Sequence, residues 1–291
     1  MEVRKSKLFI TVLPCQRQAV NTAISFTCWF IRVRYCFSGG NSVDLILSFS
    51  WAFWLLAGIG VLFTGISKSG FAGGVGVISV PLMSLYIGPV QAAAIMLPLL
   101  ILMDFFSVRA WWRSKRTDLL KIMVPGAVLG IFIGYLLFGY LDDDILRLLL
   151  GILSVGFAFW GLLNGSKLGR GGSPVVGYIS STLAGFTSFI AHAGGPPMNF
   201  YLIPMKLPRA EFLGTAVVFL AIVNLVKLVA YGALGQINTD NLLVGLVLAP
   251  VAWIGIRLGL VIHNKLDDQL FYRIILIMLL IVGVKLIFDA I

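Results

Sequence analysis

Apolar residues recur in long stretches from Leu45 to Ile291, separated by short groups of glycine, proline and charged residues. A helix of about 20 residues crosses roughly 30 Å of hydrocarbon, and most of the stretches have about that length. The pattern therefore predicts an all-α, polytopic membrane protein of about ten segments. The predicted segments are 45–65, 75–87, 90–110, 119–140, 145–163, 174–191, 196–206, 211–232, 241–262 and 270–288.

Clusters of small residues interrupt two of these stretches, at Gly65–Gly74 and at Gly185–Pro197, and the two Gly-Gly pairs lie 121 positions apart. Backbone that leaves the helix inside a bilayer is tolerated where protein buries it or where it lines a watery cavity. Matching interruptions in two halves of a chain point to the substrate site of a transporter. The short second and seventh segments are predicted to be parts of Gly-rich broken or re-entrant helices.

Further matches between the halves predict a duplicated unit of five segments. An odd number of segments per unit requires the second copy to be inserted upside down, and the charge of the loops supports this inversion. The loop Arg109–Arg116 is strongly basic and is predicted to be cytoplasmic, whereas its counterpart 231–238 carries no charge. The matching pairs are Thr117-Asp118 with Thr239-Asp240, Gly130-xxx-Gly134 with Gly255-xxx-Gly259, and Leu141–Asp143 with Leu266–Asp268.

The chain divides into four predicted parts: a basic N-terminal extension of unknown role (1–43), a first transmembrane repeat (44–165), a cytoplasmic linker (166–173) and a second repeat (174–291). The charge of the extension conflicts with its predicted external side. Two interpretations stay open: a weak extra crossing near 8–31, or a true start downstream, near Val43. The extension has no compact apolar core that leads to a cleavage site, so it is not typical of a signal peptide.

Composition agrees with a membrane location. Hydrophobic residues make up 59% of the 291, charged residues 12%, and the mean hydropathy is +0.99. The net charge of +10 arises largely from short loops and is not accompanied by features of nucleic-acid binding. The three cysteines lie within the first 36 residues, without metal-ligand spacing to a histidine. We therefore expect no nucleic acid, no metal and no cofactor.

The first interruption contains Lys68, which is costly inside an apolar segment unless water, a partner or a substrate meets it. One interpretation makes it part of an anion site, together with hydroxyl groups and freed backbone N–H groups. The other is a lysine that extends to the lipid headgroups. The candidate substrate-binding residues here are Ser67, Lys68, Ser69, Gly70, Gly73 and Gly74.

The second interruption contains His192, followed by Pro196 and Pro197 where the next half-helix is predicted to begin. As an imidazolium His192 would bind an anion or relay a proton. Alternatively, it is a neutral, hydrogen-bonded ring that holds the interruption in shape. The candidate substrate-binding residues here are Ser188, His192, Gly194 and Gly195.

Asp104 and Asn224 are repeat mates in the third and eighth segments, and Lys227 lies one helical turn beyond Asn224. We assign these three a coupling or pairing role, in which Asp104 carries a proton or pairs with Lys68 or Lys227 when the site is empty. The structural alternative pairs Asp104 with Arg109 while Lys227 extends outward. The two Gly-xxx-Gly patterns predict close helix packing.

With these residues the chain resembles the sulfite exporter TauE/SafE family, also called the TSUP family of membrane permeases. The resemblance rests on Gly65–Pro81, Pro89–Ala94 and Phe186–Pro197, and it extends from about Leu45 to the C-terminus. It implies a multi-pass protein of the bacterial plasma membrane that moves sulfite, sulfonates or related organosulfur anions, often outward. Among the candidate residues it extends to the two interruptions with Lys68 and His192.

These observations predict a secondary transporter rather than an enzyme: an exporter of a small anion that works by alternating access between the two inverted repeats. An anion channel or passive facilitator is the alternative, and an intramembrane enzyme is a more distant one, because Asp104 is the one clearly intramembrane acid in the sequence. The expected partners are the small anion and the lipid bilayer. The small-residue faces also allow a homodimer.

Overall fold

The computed structural model describes residues 49–70, 76–140, 142–164, 173–262 and 268–291. The predicted extension 1–43 and nearly all of the linker 166–173 lie outside these ranges. In the described ranges the regular structure is helical, without strands. The helices are α1 (Trp51–Gly70), α2 (Ser79–Ser84), α3 (Pro89–Trp111), α4 (Thr117–Leu137), α5 (Asp143–Asn164), α6 (Pro174–Ala191), α7 (Gly195–Leu202), α8 (Arg209–Ala233), α9 (Thr239–Ile262) and α10 (Asp268–Ala290).

Seven of the helices in the described ranges are long and apolar enough to cross a membrane. This confirms an all-α, multi-pass protein, while the number of about ten segments stays a prediction. The seven candidate spans are Trp51–Gly70, Pro89–Ser114, Thr117–Leu137, Asp143–Leu163, Pro174–Ala191, Arg209–Ala233 and Thr239–Val261.

Two helices are much too short to span a bilayer. At 1.5 Å per residue, the six residues of α2 cover about 9 Å and the eight of α7 about 12 Å. All six residues of α2 are buried, and so are nearly all of α7. Both therefore lie inside the protein, at the positions where the sequence predicts short segments.

Close contacts through glycine join α1 to α9 and α4 to α6. A Cβ added at Gly130 would lie 1.9 Å from the carbonyl oxygen of Thr182, and one added at Gly134 would lie 2.7 Å from the ring of Phe189. In the other pair, a Cβ at Gly259 would lie 2.1 Å from Ser69 Oγ. The predicted role of the Gly-xxx-Gly patterns in close helix packing is confirmed.

We expect Gly130→Ala to destabilise the fold, because the added methyl group has no room against α6. Overpacking of a tight contact costs about 1–3 kcal/mol, so the thermal unfolding midpoint in detergent should fall clearly. Gly156→Ala is the matched control, since a Cβ at Gly156 meets nothing within 4 Å. An equal midpoint for the two variants would contradict the close contact between α4 and α6.

Helices α3 and α8 lie side by side and run in opposite directions. In the middle of the pair, Asn224 contacts Asp104. At the end, the backbone N–H of Arg116, just after α3, donates to Thr215 Oγ1 near the start of α8, at 2.9 Å. The residue numbers rise along one helix and fall along the other, which fixes the antiparallel orientation.

A cluster of charges ties the loop between α3 and α4 to the start of α8. The Arg116 guanidinium donates to Asp118 at 2.8 and 3.0 Å and to Glu211 Oε2 at 3.1 Å. These hydrogen bonds, first of all those to Asp118, raise the pKa of Arg116 above its already high ordinary value. Arg116 therefore stays charged at any physiological pH.

Candidate functional site

Buried polar side chains from four helices meet between α1, α3, α6 and α8. Lys68 and Asp104 come from α1 and α3, and Asn224 and Lys227 come from α8. They are between 0% and 5% exposed. Ser188 and His192 approach from the end of α6. Candidate residues from both predicted interruptions and from the third and eighth segments, though not all of them, thus contribute to one cluster.

The first interruption begins later than predicted. Helix α1 continues to Gly70, so Ser67, Lys68, Ser69 and Gly70 lie in its last turns, and the prediction that the chain has already left the helix here is wrong. The prediction treated Gly65 as a helix breaker, whereas Gly65 allows close approach to α9: a Cβ there would lie 3.0 Å from the Ala252 carbonyl oxygen. Gly73 and Gly74 lie outside the described residues.

Lys68 points into the protein. Its ammonium donates to the carbonyl oxygen of Leu100 at 3.0 Å and forms an ion pair with Asp104 Oδ1. The second carboxylate oxygen of Asp104 accepts a hydrogen bond from Asn224 Nδ2 at 2.7 Å. The structure thus pairs Asp104 with Lys68, one of the two lysines named for it in the prediction. The alternatives, a lysine that reaches the headgroups and an Asp104 paired with Arg109, are wrong.

Lys227 is fully buried, so the alternative in which it extends outward is also wrong. Its ammonium donates to the carbonyl oxygen of Ser188 at 3.0 Å, to Ser188 Oγ at 2.9 Å and to His192 Nδ1 at 2.5 Å. All three acceptors are neutral. Within the described part of the chain, Lys227 is therefore a buried lysine without a carboxylate ion pair.

His192 ends α6 in a left-handed conformation, with φ of 52°. Its Nε2 lies 2.8 Å from the carbonyl oxygen of Ala93. Because a carbonyl oxygen can only accept, Nε2 carries a proton and donates to Ala93, and in the neutral ring Nδ1 then accepts from Lys227. The ring also stacks on Tyr231, with centroids 6.3 Å apart. This geometry fits the predicted hydrogen-bonded ring that holds the interruption in shape.

The second interruption has the predicted form. The backbone leaves the helix at His192, Gly194 precedes α7, and Gly195 begins it, with both prolines in its first turn. A proline at the start of a helix costs nothing, because its missing N–H would have no partner in the helix there. Gly195 also lines a small pocket beside Lys68 and His192, here called the central pocket.

Ser67 and Ser69 flank Lys68 in α1, but neither serine lines the central pocket as Lys68 does. Ser69 Oγ donates to the carbonyl oxygens of Gly65 at 2.9 Å and Ile256 at 3.0 Å, so this hydroxyl faces α9. Ser67 is buried, but it is not among the residues that line the central pocket. In α1, the pocket is lined by Lys68 and, one turn earlier, by Thr64, which hydrogen-bonds Ser79 of α2.

A small pocket lies at the centre of the cluster. Its volume is about 20 Å³, which is enough for roughly one water molecule. A four-atom oxyanion therefore needs movement of the walls to enter. The lining residues are Thr64, Lys68, Leu100, Ser188, His192, Gly195, Leu220 and Asn224.

Thr64, Leu100 and Leu220 were not predicted as site residues, and Lys227 was predicted in a coupling or pairing role rather than as a substrate-binding residue. Thr64 carries a detectable signal, since it lies four residues before Lys68 on the same face of the helix. Leu100 and Ala93 carry no such signal in the sequence. Their carbonyl oxygens bind Lys68 and His192, and every residue has a backbone carbonyl oxygen.

The charges of the cluster do not cancel. Two lysines face one carboxylate, Asp104, and the other polar groups on the pocket wall are hydroxyls, an amide and an imidazole. Among the described residues, no group of three or more His, Cys, Asp or Glu could hold a metal ion. The arrangement is suited to electrostatic attraction of an anion by a buried positive charge.

Long apolar helices that enclose a buried polar cluster define this chain as a multi-pass membrane protein. Comparison with protein families gives a more specific assignment, because the family model described as sulfite exporter TauE/SafE matches residues 56–286. The chain belongs to the TauE/SafE sulfite exporter family, a family of membrane transporters. No match was found among curated proteins or among solved structures.

Proposed function

We propose that this protein is a secondary transporter of the bacterial plasma membrane that exports a small anion, with sulfite or a small sulfonate as the first candidates. The observation that carries the proposal is the buried Lys227, whose hydrogen bonds among the described residues go to neutral groups. With Lys68 and Asp104 nearby, the cluster has a net charge of +1 when these three groups are ionised. Such a charge is expensive in a membrane protein unless an anion uses it.

In this proposal the anion enters the central pocket and competes with Asp104 for the Lys68 ammonium. Asp104 is then the internal counter-ion of the empty site, and Asn224 holds its second oxygen in place. Thr64, Ser188 and His192 lie on the same wall and offer further polar contacts. The hydroxyl and amide groups suit an oxyanion, which accepts several hydrogen bonds at once.

Alternating access is favoured over an open pore by the volume of the pocket, about 20 Å³. A channel needs a continuous path, whereas a transporter passes through states in which its site is closed on both sides. We therefore propose that the repeats 44–165 and 174–291 move against one another to open the pocket on alternate sides.

Helix packing supports two inverted five-segment repeats. Helices α3 and α8 are predicted repeat mates, and they run antiparallel, as inversion requires. The contact of α1 with α9 has its counterpart in the contact of α6 with α4, and the contact of α3 with α9 has its counterpart in that of α8 with α4. In each of these pairs of contacts, a helix of one half packs against a helix of the other half, and the second contact repeats the first with the halves interchanged. This arrangement fits a two-fold axis in the membrane plane.

The test is flux of radiolabelled sulfite and of radiolabelled methanesulfonate in proteoliposomes. We expect saturable flux with the wild type and strongly reduced flux with Lys68→Ala and with His192→Ala. Lys285→Ala is the control, because Lys285 is exposed and pairs with Asp289 on α10. Unchanged flux in both site variants would remove this site from the transport path, and flux that does not saturate would favour a passive channel.

Replacing the Asp104 carboxylate by an amide should change the charge preference of the site. In Asp104→Asn the net charge of the cluster rises from +1 to +2, so a doubly charged anion gains more attraction than a singly charged one. At an effective dielectric constant near 20, one added charge a few ångströms away changes the relative affinity by at least about tenfold. Competition of sulfate against methanesulfonate in the flux assay measures this ratio, and a ratio equal to that of the wild type would refute the counter-ion role.

A further inference from the structure

A second and much larger recess lies away from the central cluster, between α3 and α9. Its volume is about 580 Å³, close to that of a typical small-molecule site. It combines aromatic and aliphatic side chains with two arginines. The lining residues are Phe105, Phe106, Arg109, Ala110, Trp253, Ile256, Arg257 and Leu260.

The recess belongs to the surface that faces the lipid. Phe105 is 67% exposed and Trp253 is 45% exposed, which is typical of a helix surface in contact with hydrocarbon. Both helices that form the recess are candidate membrane spans. The apolar part of the lining therefore offers contact to acyl chains rather than to water.

Both arginines lie near the C-terminal ends of their helices, at the end of the molecule that carries the basic loop Arg109–Arg116. The Arg257 guanidinium lies over the Trp253 ring, 5.1 Å from its centroid, which holds the charge beside the apolar wall. Arg116 is bound by two carboxylates, whereas the ion pairs of the described residues include neither Arg109 nor Arg257. One apolar recess is thus bordered by two guanidinium groups that form no ion pair with a described carboxylate.

We propose that this recess binds an anionic phospholipid, with its phosphate between Arg109 and Arg257 and an acyl chain along Phe105, Phe106 and Leu260. Guanidinium groups bind phosphate oxygens through paired N–H donors. Basic pockets between spanning helices on the cytoplasmic side are suited to such headgroups. The apolar lining gives affinity to the chain of the lipid, so a soluble phosphate that lacks the chain gains little from this site. The inference does not depend on the proposed transport function.

The test uses the full-length protein in detergent, stripped of lipid and titrated with phosphatidylglycerol or phosphatidylcholine in mixed micelles. Bound lipid is counted by native mass spectrometry, and the thermal midpoint is followed in parallel, since a ligand of the folded state raises it. The variants are Arg109→Gln, Arg257→Gln and Phe105→Ala. Arg113→Gln is the matched control, because it removes a positive charge from the neighbouring loop but not from the recess.

We expect phosphatidylglycerol to bind and to raise the midpoint more than phosphatidylcholine does. Each Arg→Gln change in the recess should weaken phosphatidylglycerol binding about fivefold, Phe105→Ala should weaken it as well, and Arg113→Gln should not. Arg109→Lys should restore part of the loss, which separates an effect of charge from a folding defect. Equal binding by all variants would overturn the proposal, and so would equal stabilisation by soluble glycerol phosphate, which would indicate a phosphate site without a lipid chain.

Discussion

Replacing Lys227 by methionine is expected to reduce anion flux at least about 100-fold. The change removes a buried ammonium that forms no ion pair with a carboxylate among the described residues, together with its three hydrogen bonds to Ser188 and His192. At an effective dielectric constant near 20, a positive charge about 4 Å from an anion attracts it by about 4 kcal/mol, and about 2.7 kcal/mol already corresponds to 100-fold. Initial rates of radiolabelled sulfite or methanesulfonate flux in proteoliposomes measure the effect.

Lys285→Met is the control for Lys227→Met, because it makes the same chemical change on an exposed face of α10. Equal amounts of monodisperse protein in the two preparations are required, so that a rate difference reports the site and not the yield. Lys227→Arg keeps the charge but not the fit, and we expect it to retain more activity than Lys227→Met. If Lys227→Met transported at the wild-type rate, the buried charge would have no part in transport, and the proposal would lose its main support.

Helix positions were largely predictable because they depend on the length of each apolar stretch and on the glycine, proline and charged residues that separate the stretches. Helix α6 covers 174–191, as predicted, and the chain then leaves the helix at a histidine followed by two glycines and two prolines. The end of α1 was not predictable in this way. Glycine within a membrane span both breaks helices and allows close packing, and only the position of α9 against Gly65 decides between the two.

The composition of the cluster was predictable, but its pairings were not. Lys68, Asp104, Asn224, Ser188 and His192 are all conspicuous as polar residues in apolar stretches. The contact of Lys227 with Ser188 spans 39 positions, and that of Lys68 with Asp104 spans 36. Such contacts depend on how each helix is rotated about its axis, which local sequence does not specify in a bilayer, where both faces of a helix can be apolar.

The two halves contribute unequal charges to the site. Asp104 and Asn224 are predicted repeat mates, and in the structure they contact each other at 2.7 Å. A duplicated carboxylate at this contact would place two negative charges side by side and would cancel the charge of both lysines. One carboxylate and one amide instead preserve the hydrogen bond and leave the net positive charge. We infer that the difference between the Asp104 carboxylate and the Asn224 amide is what allows the site to attract an anion.

Replacing Lys68 by methionine should destabilise the protein strongly, and the loss should largely disappear when Asp104 is replaced in the same chain. The ion pair is buried, with side chains 5% and 7% exposed. Removing one partner of a buried pair leaves an uncompensated charge and costs about 3–5 kcal/mol. In Lys68→Met with Asp104→Asn the carboxylate that had lost its partner is also gone, and the amide oxygen at position 104 can still accept from Asn224.

The measurement for this pair is a double-mutant cycle on the thermal midpoint or on denaturant unfolding in detergent. Lys285 and Asp289 provide the matched cycle, because they form an exposed i,i+4 pair, for which the coupling energy is only about 0.3–0.5 kcal/mol. We expect a large coupling energy between Lys68 and Asp104 and a small one between Lys285 and Asp289. This result would mean that the buried carboxylate stabilises the fold only while Lys68 is present. That dependence is what an internal counter-ion requires, since a substrate anion must be able to take its place at Lys68. If the double variant lost as much stability as the two single variants together, Asp104 would stabilise the fold independently of Lys68, and another group would have to balance the lysine in the empty site.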